Sequence, residues 1–112
     1  MTRLLIVTFL ALVCGWISTA QAARRALLVG IDRYDNLGAD GQLLRAVNDA
    51  RSVAKVLRDM GFQTQLGENA TRAQFNALWQ AMIERVEPGD TVALYFSGHG
   101  VEIDGQNFLL PS

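Results

Sequence analysis

The chain has 112 residues, enough for one small domain, with 10 lysines and arginines against 11 aspartates and glutamates. The net charge is −1 and no basic patch stands out, so we do not expect nucleic acid as a partner. One cysteine, Cys14, and one histidine, His99, leave no set of residues for a disulfide or a cysteine-based metal site, and we expect neither.

Residues 1–22 have the pattern of a secretory signal peptide. Arg3 gives a short basic start, residues 4–17 are apolar, and the Ala-Gln-Ala of residues 20–22 is a small-x-small cleavage site. The apolar run is shorter than the about 20 residues that span a bilayer comfortably. We therefore predict cleavage after Ala22 and a secreted or periplasmic protein. The alternative is an uncleaved anchor, the only case in which the membrane is an expected partner.

The first predicted strand is a continuous apolar run at residues 26–31, typical of a strand that is buried on both faces. A loop rich in Asp, Asn and Gly follows it. Apolar side chains then recur at helical spacing from Ala46 to Leu57, and Gly61 is expected to stop this helix.

A short alternating segment, FQTQL, predicts a half-exposed second strand. Thr71 and Gln74 form a capping box for a second helix, which also explains Thr71 better than the glycosylation sequon that begins at Asn69. The apolar stripe expected on this helix consists of Phe75, Leu78, Trp79, Met82, Ile83 and Val86. Pro88 and the following Gly-Asp end the helix, TVALYF predicts a third buried strand, and Asp104-Gly105 predicts a hairpin turn.

Strands that alternate with helices predict an α/β sandwich around a mostly parallel sheet. In such sheets ligands bind beyond the carboxyl ends of the strands. Asp32 ends the first strand, residues 97–100 follow the third, and Asn48-Asp49 begins a helix that returns from the same edge. We therefore expect these polar groups to converge there.

His99 lies between two glycines in the sequence SGHG. An imidazole is the side chain best suited to accept and return a proton near neutral pH, which makes His99 a candidate general base and acid. Gly98 and Gly100 allow the backbone to turn, and they leave the Gly100 amide free to face a developing oxyanion. The alternative is a structural histidine that is hydrogen-bonded to the backbone at the end of a strand.

The other polar residues at this edge allow two interpretations each. Asp49 is either a favoured acid at a helix start or a carboxylate that selects a basic substrate group. Ser97 shares a face with His99 and is more suited to orienting a substrate than to attacking it. Asp32 is a candidate substrate contact, although ion pairing of Asp32 and Asp35 with Arg33 is the default expectation.

Four segments together resemble the caspase-like cysteine peptidases, and most closely the bacterial metacaspase-like branch. They are RALLVGIDRY, LLRAVNDARSVAKVLRDMGF, NATRAQF and PGDTVALYFSGHG, and they extend over nearly all of residues 24–112. The resemblance implies a three-layer αβα sandwich, a peptide or protein substrate and a Cys-His dyad. No cofactor is required from the sequence, and calcium is possible by resemblance.

The resemblance also implies roles for individual residues. His99 would assist the thiol and protonate the leaving amine, and the Gly100 amide would occupy the oxyanion position. Asp49 and Ser97 would belong to an acidic pocket for Arg or Lys at P1. The sequence departs from the family at Arg45-Ala46, where many metacaspases have Gly-Cys.

The nucleophilic cysteine of caspases lies roughly 50 residues after the histidine, beyond Ser112. We therefore expect residues 23–112 to be the N-terminal part of a caspase-like domain, incomplete at its C-terminus and inactive alone. The alternatives are a non-catalytic binding or regulatory module of the same fold and an unrelated secreted α/β domain. The sequence predicts no oligomeric state.

Overall fold

A computed structural model describes residues 21–112, so the predicted signal peptide lies outside the described residues except at its last two positions. The elements are the strands β1 (Arg24–Gly30), β2 (Gln63–Glu68), β3 (Thr91–Ser97), β4 (Gly100–Ile103) and β5 (Gln106–Leu109), the helices α1 (Ala46–Asp59) and α2 (Arg72–Ile83), and a 3-10 turn (Ala39–Gly41). The first three strands form a parallel sheet in the order β2-β1-β3, and β4 and β5 form an antiparallel hairpin.

β1 is the central strand, and its side chains enter two separate cores. Ala26 and Leu28 pack with Ala54 of α1 on one face of the sheet. Leu27 and Val29 pack with Met82 of α2 on the opposite face. This alternation explains the continuous apolar run, because both faces of the strand are covered by a helix. The three-layer α/β architecture expected from the sequence is confirmed.

α1 ends and α2 begins at the residues that the sequence marked, whereas α1 begins at Ala46, two residues before the expected Asn48-Asp49. Gly61 follows α1 with a φ of +87°, and the Phe62 N–H donates to the Leu57 C=O at 2.9 Å, as in a Schellman motif. The capping box at α2 is confirmed, since the Thr71 hydroxyl accepts the Gln74 N–H at 3.2 Å. α2 ends at Ile83, however, and not at Pro88.

β3 is less buried than its sequence predicts, and this expectation was wrong. Val92 and Leu94 are 40% and 45% exposed. α2 packs over β1 and β2, so the face of β3 that carries these two side chains is left uncovered, and β3 is an edge strand within residues 21–112. An apolar run therefore indicated a strand correctly but did not fix its place in the sheet.

The hairpin turn at Asp104-Gly105 is confirmed. These two residues have φ angles of +49° and +77°, the left-handed pair that a two-residue hairpin loop requires. No helix within residues 21–112 has the length and hydrophobicity needed to span a membrane.

Candidate active site

The carboxyl ends of the sheet strands lie level with one another. Gly30 at the end of β1 pairs with Glu68 of β2 and with Ser97 of β3. His99 follows β3 by two residues and is half-buried at this edge. The parallel register therefore brings the loop after β1, the start of α1 and the SGHG segment to one end of the molecule, as the topology predicts.

Two hydrogen bonds from the loop after β1 position His99. Its backbone N–H donates to the Tyr34 hydroxyl at 2.6 Å, and its Nε2 lies 2.7 Å from the Gly41 carbonyl oxygen. A carbonyl oxygen only accepts, so Nε2 carries the proton in this bond. The neutral ring then keeps its lone pair on Nδ1, which has no hydrogen-bond partner within residues 21–112. The arrangement provides an imidazole with one nitrogen anchored and the other open to a proton donor.

Tyr34 supports His99 in two ways. The Tyr34 hydroxyl accepts the His99 N–H. The Tyr34 ring also lies against the imidazole, with the two ring centroids 4.8 Å apart and the ring planes inclined by 49°. Burial raises the pKa of Tyr34 above its ordinary value, and the negative charge of Asp32 acts in the same direction, against the opposing effect of the His99 N–H. The phenol therefore stays neutral at physiological pH, and it is a fixed dipole beside His99 and not a charge.

Gly98 is required by close packing. A Cβ atom at this position would lie 2.6 Å from the Tyr34 hydroxyl oxygen. The hydroxyl belongs to a side chain that is only 5% exposed, so it has little room to withdraw. The first glycine of the SGHG motif thus allows the contact between Tyr34 and the His99 backbone.

Gly100 has a different environment. A Cβ atom there would lie 3.4 Å from the Phe108 carbonyl oxygen, an ordinary contact. The neighbouring His99 C=O accepts the Leu110 N–H at 2.9 Å, and Gly100 pairs with Leu109. Because hydrogen-bonded and non-hydrogen-bonded pairs alternate along an antiparallel ladder, the Gly100 N–H is directed away from β5. This amide is therefore available to an external acceptor.

Asp32 holds the start of α1. Its two carboxylate oxygens accept the N–H groups of Ala46 and Val47 at 2.8 and 3.3 Å. Gly30 permits this approach, since a Cβ atom there would lie 2.5 Å from the Ala46 carbonyl oxygen. Asp32 thus performs the capping that the sequence left open for Asp49, and its role as a substrate contact stays a prediction.

Asp49 and Ser97 line the same cleft, which has a volume of about 480 Å³. The remaining lining residues are Gln42, Leu43, Leu44, Arg45, Ala46 and Gly98. Asp49 is exposed, and within residues 21–112 no cationic side chain lies within 4 Å of its carboxylate. The cleft therefore contains a carboxylate that forms no ion pair within residues 21–112, although Arg45 is also in its lining, and it lies next to the segment that carries His99.

Three features of the site have no counterpart in the sequence analysis: Tyr34, the Gly41 carbonyl and the Gln42 side chain. A backbone carbonyl has no sequence signature, whereas an aromatic residue in an otherwise polar loop is a usable signal for Tyr34. Arg33 was expected to pair with Asp32 and Asp35, and this expectation was wrong. The two ion pairs within residues 21–112 are Arg25–Asp90 and Arg51–Glu68.

Calcium was expected as possible by resemblance. Within residues 21–112 no three His, Cys, Asp or Glu side chains come together in a way that could hold a metal ion.

Two comparisons with known proteins agree with this geometry. The family model of the caspase domain, peptidase C14, matches residues 23–112. Metacaspase-1 of Mycosarcoma maydis is 31% identical over 94 residues, a match that covers 74% of this chain and 23% of that protein. The chain thus spans about a quarter of the length of this relative.

Proposed function

The chain belongs to the caspase-domain family, peptidase C14, and from this premise we propose that it supplies the histidine and the substrate cleft of a cysteine endopeptidase. The observation that carries the proposal is the state of His99. Its Nε2 is held by the Gly41 carbonyl, and its Nδ1 has no hydrogen-bond partner within residues 21–112. The residue before His99, Gly98, lines the cleft that also contains Asp49.

In this mechanism Nδ1 of His99 accepts the proton of a cysteine thiol as the sulfur attacks the scissile carbonyl carbon. The same nitrogen then donates that proton to the departing amine, and a water molecule hydrolyses the acyl-enzyme. The bond from Nε2 to Gly41 stabilises the charged ring that exists between the two transfers. Residues 21–112 contain no cysteine, so the thiol is not one of their side chains.

Two further groups fit the same reaction. The Gly100 N–H, directed away from β5, is suited to donate to the oxyanion that forms on the attacked carbonyl. Asp49 is suited to pair with an Arg or Lys side chain at P1, and Ser97, on the same cleft, is suited to orient the peptide. We therefore propose cleavage after basic residues.

The role of His99 in the dyad is tested by measuring how fast the full gene product cleaves a fluorogenic peptide with Arg at P1. His99→Ala should lower kcat by at least about 10²-fold, the contribution of a positioned acid-base group. Gln80→Ala, an exposed change on α2, serves as the control and should leave kcat unaltered. Wild-type turnover that persists in folded His99→Ala protein would contradict the assignment.

The basic P1 preference is tested with Asp49→Asn. Loss of a charged hydrogen bond should reduce kcat/KM for the Arg peptide by about 10–100-fold. The matched control is Asp59→Asn, which removes an exposed carboxylate at the opposite end of α1. Equal losses in the two variants, or none in Asp49→Asn, would overturn the pocket assignment.

A second function is a caspase-fold module that binds peptides without cutting them. It is supported by the cleft, because Asp49 is suited to bind a basic side chain whether or not a thiol is present. Tight binding of an Arg peptide by the gene product without hydrolysis, lost in Asp49→Asn, would favour this function.

We also propose that residues 1–22 direct secretion and are removed. The proposal rests on the small-x-small site and on one contact, since the Ala23 nitrogen lies 2.7 Å from Asp90 Oδ1. Cleavage after Ala22 would turn this nitrogen into an ammonium group beside a carboxylate. N-terminal sequencing of the exported protein should begin at Ala23, and retention of Met1 would contradict cleavage.

A further inference from the structure

Two of the hydrogen bonds that fix His99, including the one to its ring, come from the loop between β1 and α1. Tyr34 accepts the His99 N–H, and the Gly41 carbonyl accepts Nε2–H. Apart from the short 3-10 turn that ends at Gly41, this loop has no regular secondary structure, and residues 35–40 are exposed. The orientation of the imidazole therefore depends on what keeps the two ends of an exposed loop at a fixed separation.

One side chain joins those two ends. The Gln42 Oε1 accepts the Tyr34 N–H at 2.7 Å, and the Gln42 Nε2 donates to the Tyr34 C=O at 3.0 Å. The same Nε2 also lies 2.9 Å from the Leu37 carbonyl oxygen and 3.3 Å from that of Gly38. The Gln42 amide thus bonds both backbone groups of Tyr34 and also contacts two carbonyls of the intervening turn, with its two N–H groups shared among three oxygens.

Gln42 directly follows Gly41, whose carbonyl oxygen accepts the His99 Nε2–H. The Gln42 side chain therefore links Tyr34 to the residue next to that carbonyl group. The remaining backbone bonds of the loop close it locally, such as Gly41 N–H to Gly38 C=O at 2.9 Å, and do not join Gly41 to Tyr34. Leu43 N–H bonds the Asp32 C=O at 2.7 Å and closes the base of the loop, outside the segment from Tyr34 to Gly41.

We propose that Gln42 is a positioning residue for His99, which clamps Tyr34 to Gly41 and so keeps the imidazole in its Nε2–H tautomer. Without the clamp, the Gly41 carbonyl moves relative to the ring, and Nε2 loses the acceptor that selects this tautomer. The consequence for turnover rests on the proposed function, whereas the consequence for the tautomer does not.

The test uses the full chain and the ¹⁵N chemical shifts of its imidazole, which is unambiguous because the chain has one histidine. Protonated and unprotonated ring nitrogens differ widely in shift, so the spectrum of the neutral ring reports the tautomer. Gln42→Met keeps the length of the side chain and removes all four contacts. We expect the wild type to show a single Nε2–H tautomer and Gln42→Met to show a mixture.

Gln80→Met makes the same change at an exposed position on α2 and should leave the imidazole shifts at their wild-type values. Gln42→Glu is the second variant, in case Gln42→Met does not fold. It keeps an oxygen for the Tyr34 N–H and loses the donor contacts, so it should also yield a mixture. A folded Gln42 variant that retains the pure Nε2–H tautomer would overturn the proposal.

Kinetics add a separate readout if the gene product cleaves peptides. Gln42→Met should lower kcat by about 10–100-fold through misplacement of His99, while KM for the Arg peptide stays within about twofold, because Asp49 is unaltered. A rise in KM without a fall in kcat would mean that Gln42 shapes the cleft and does not position the base, and would also overturn the proposal.

Discussion

The two ends of the parallel sheet are held together by different chemistry. At the amino end, Asp90 accepts the N–H groups of Ala23 and Glu87 at 2.7 and 2.9 Å and pairs with Arg25 at 3.3 Å. Its side chain is 5% exposed. At the carboxyl end, around His99, neutral amide, phenol and carbonyl groups make the bonds, and the carboxylate of Asp49 has no partner within residues 21–112.

This difference separates structural charges from charges that are available for binding. The amino end uses its carboxylate internally, so a ligand there would have to displace three donors. At the carboxyl end Asp32 caps α1 and Arg51 pairs with Glu68, but the contacts around His99 are uncharged, and His99 and Asp49 are not used in an ion pair within residues 21–112. The following variants test this contrast, in order of decreasing effect.

Gly98→Ala should have the largest effect, because it places a Cβ atom 2.6 Å from the buried Tyr34 hydroxyl. Overpacking of this kind costs about 1–3 kcal/mol of unfolding free energy, and displacement of the phenol also breaks its bond to the His99 N–H. Urea denaturation measures the loss of unfolding free energy. The ¹⁵N shifts of the imidazole report the broken bond between Tyr34 and His99.

The matched control for this variant is Gly38→Ala in the same loop. No atom lies within 4 Å of a Cβ there, and the φ of −68° suits alanine. It should change the unfolding free energy by less than about 0.5 kcal/mol. If both variants are equally stable, the close packing of Tyr34 does not hold the carboxyl end.

Asp90→Asn should have the next largest effect and should depend on pH. Hydrogen bonds from the Glu87 N–H and then the Ala23 N–H, with Arg25 adding to them, lower the pKa of Asp90 in the folded protein. Stability from this group is therefore present above its unfolded pKa of about 3.9 and is lost as the pH falls through the lower, folded value. Asp90→Asn should lower the Tm at pH 7.

The gap in Tm between wild type and Asp90→Asn should start to narrow as the pH falls below the unfolded pKa of about 3.9, because protonation then favours the unfolded chain, and it should close only below the lower, folded pKa. Asp59→Asn, at an exposed site on α1, should show no such convergence. A gap that stays constant from pH 7 to pH 3 would mean that the charge of Asp90 does not stabilise the amino end.

The fold was largely predictable because its signals are local. The run at residues 26–31 marks the central strand, Thr71 and Gln74 mark a helix start, and Asp104-Gly105 marks a turn, each through neighbouring residues alone. The exposure of Val92 and Leu94 was not predictable, since it depends on which strands α2 covers, and that is a property of the assembled layers.

The site was predictable only in part, for a related reason. His99 and Asp49 stand out because their side chains carry chemistry that a sequence displays. Gln42 does not stand out, since a glutamine in a polar loop is ordinary until its four contacts with the backbone are known. Groups that act through the backbone of distant residues leave no pattern at fixed spacing, and only the folded loop reveals them.

Arg51→Gln should have the smallest effect and completes the contrast, because it removes the one ion pair at the carboxyl end within residues 21–112. Arg51 meets Glu68 through two contacts of 2.6 Å, but the two side chains are 59% and 36% exposed. Water and salt screen such a pair, so the Tm should fall by at most about 2 °C at physiological salt and by less at 1 M salt. The deficit of Asp90→Asn should persist in the same salt, since the Asp90 side chain is only 5% exposed and two of its three bonds are to backbone N–H groups. If Arg51→Gln cost as much as Asp90→Asn, the carboxyl end would depend on charge as the amino end does, and an unpaired Asp49 would no longer distinguish it as the binding end.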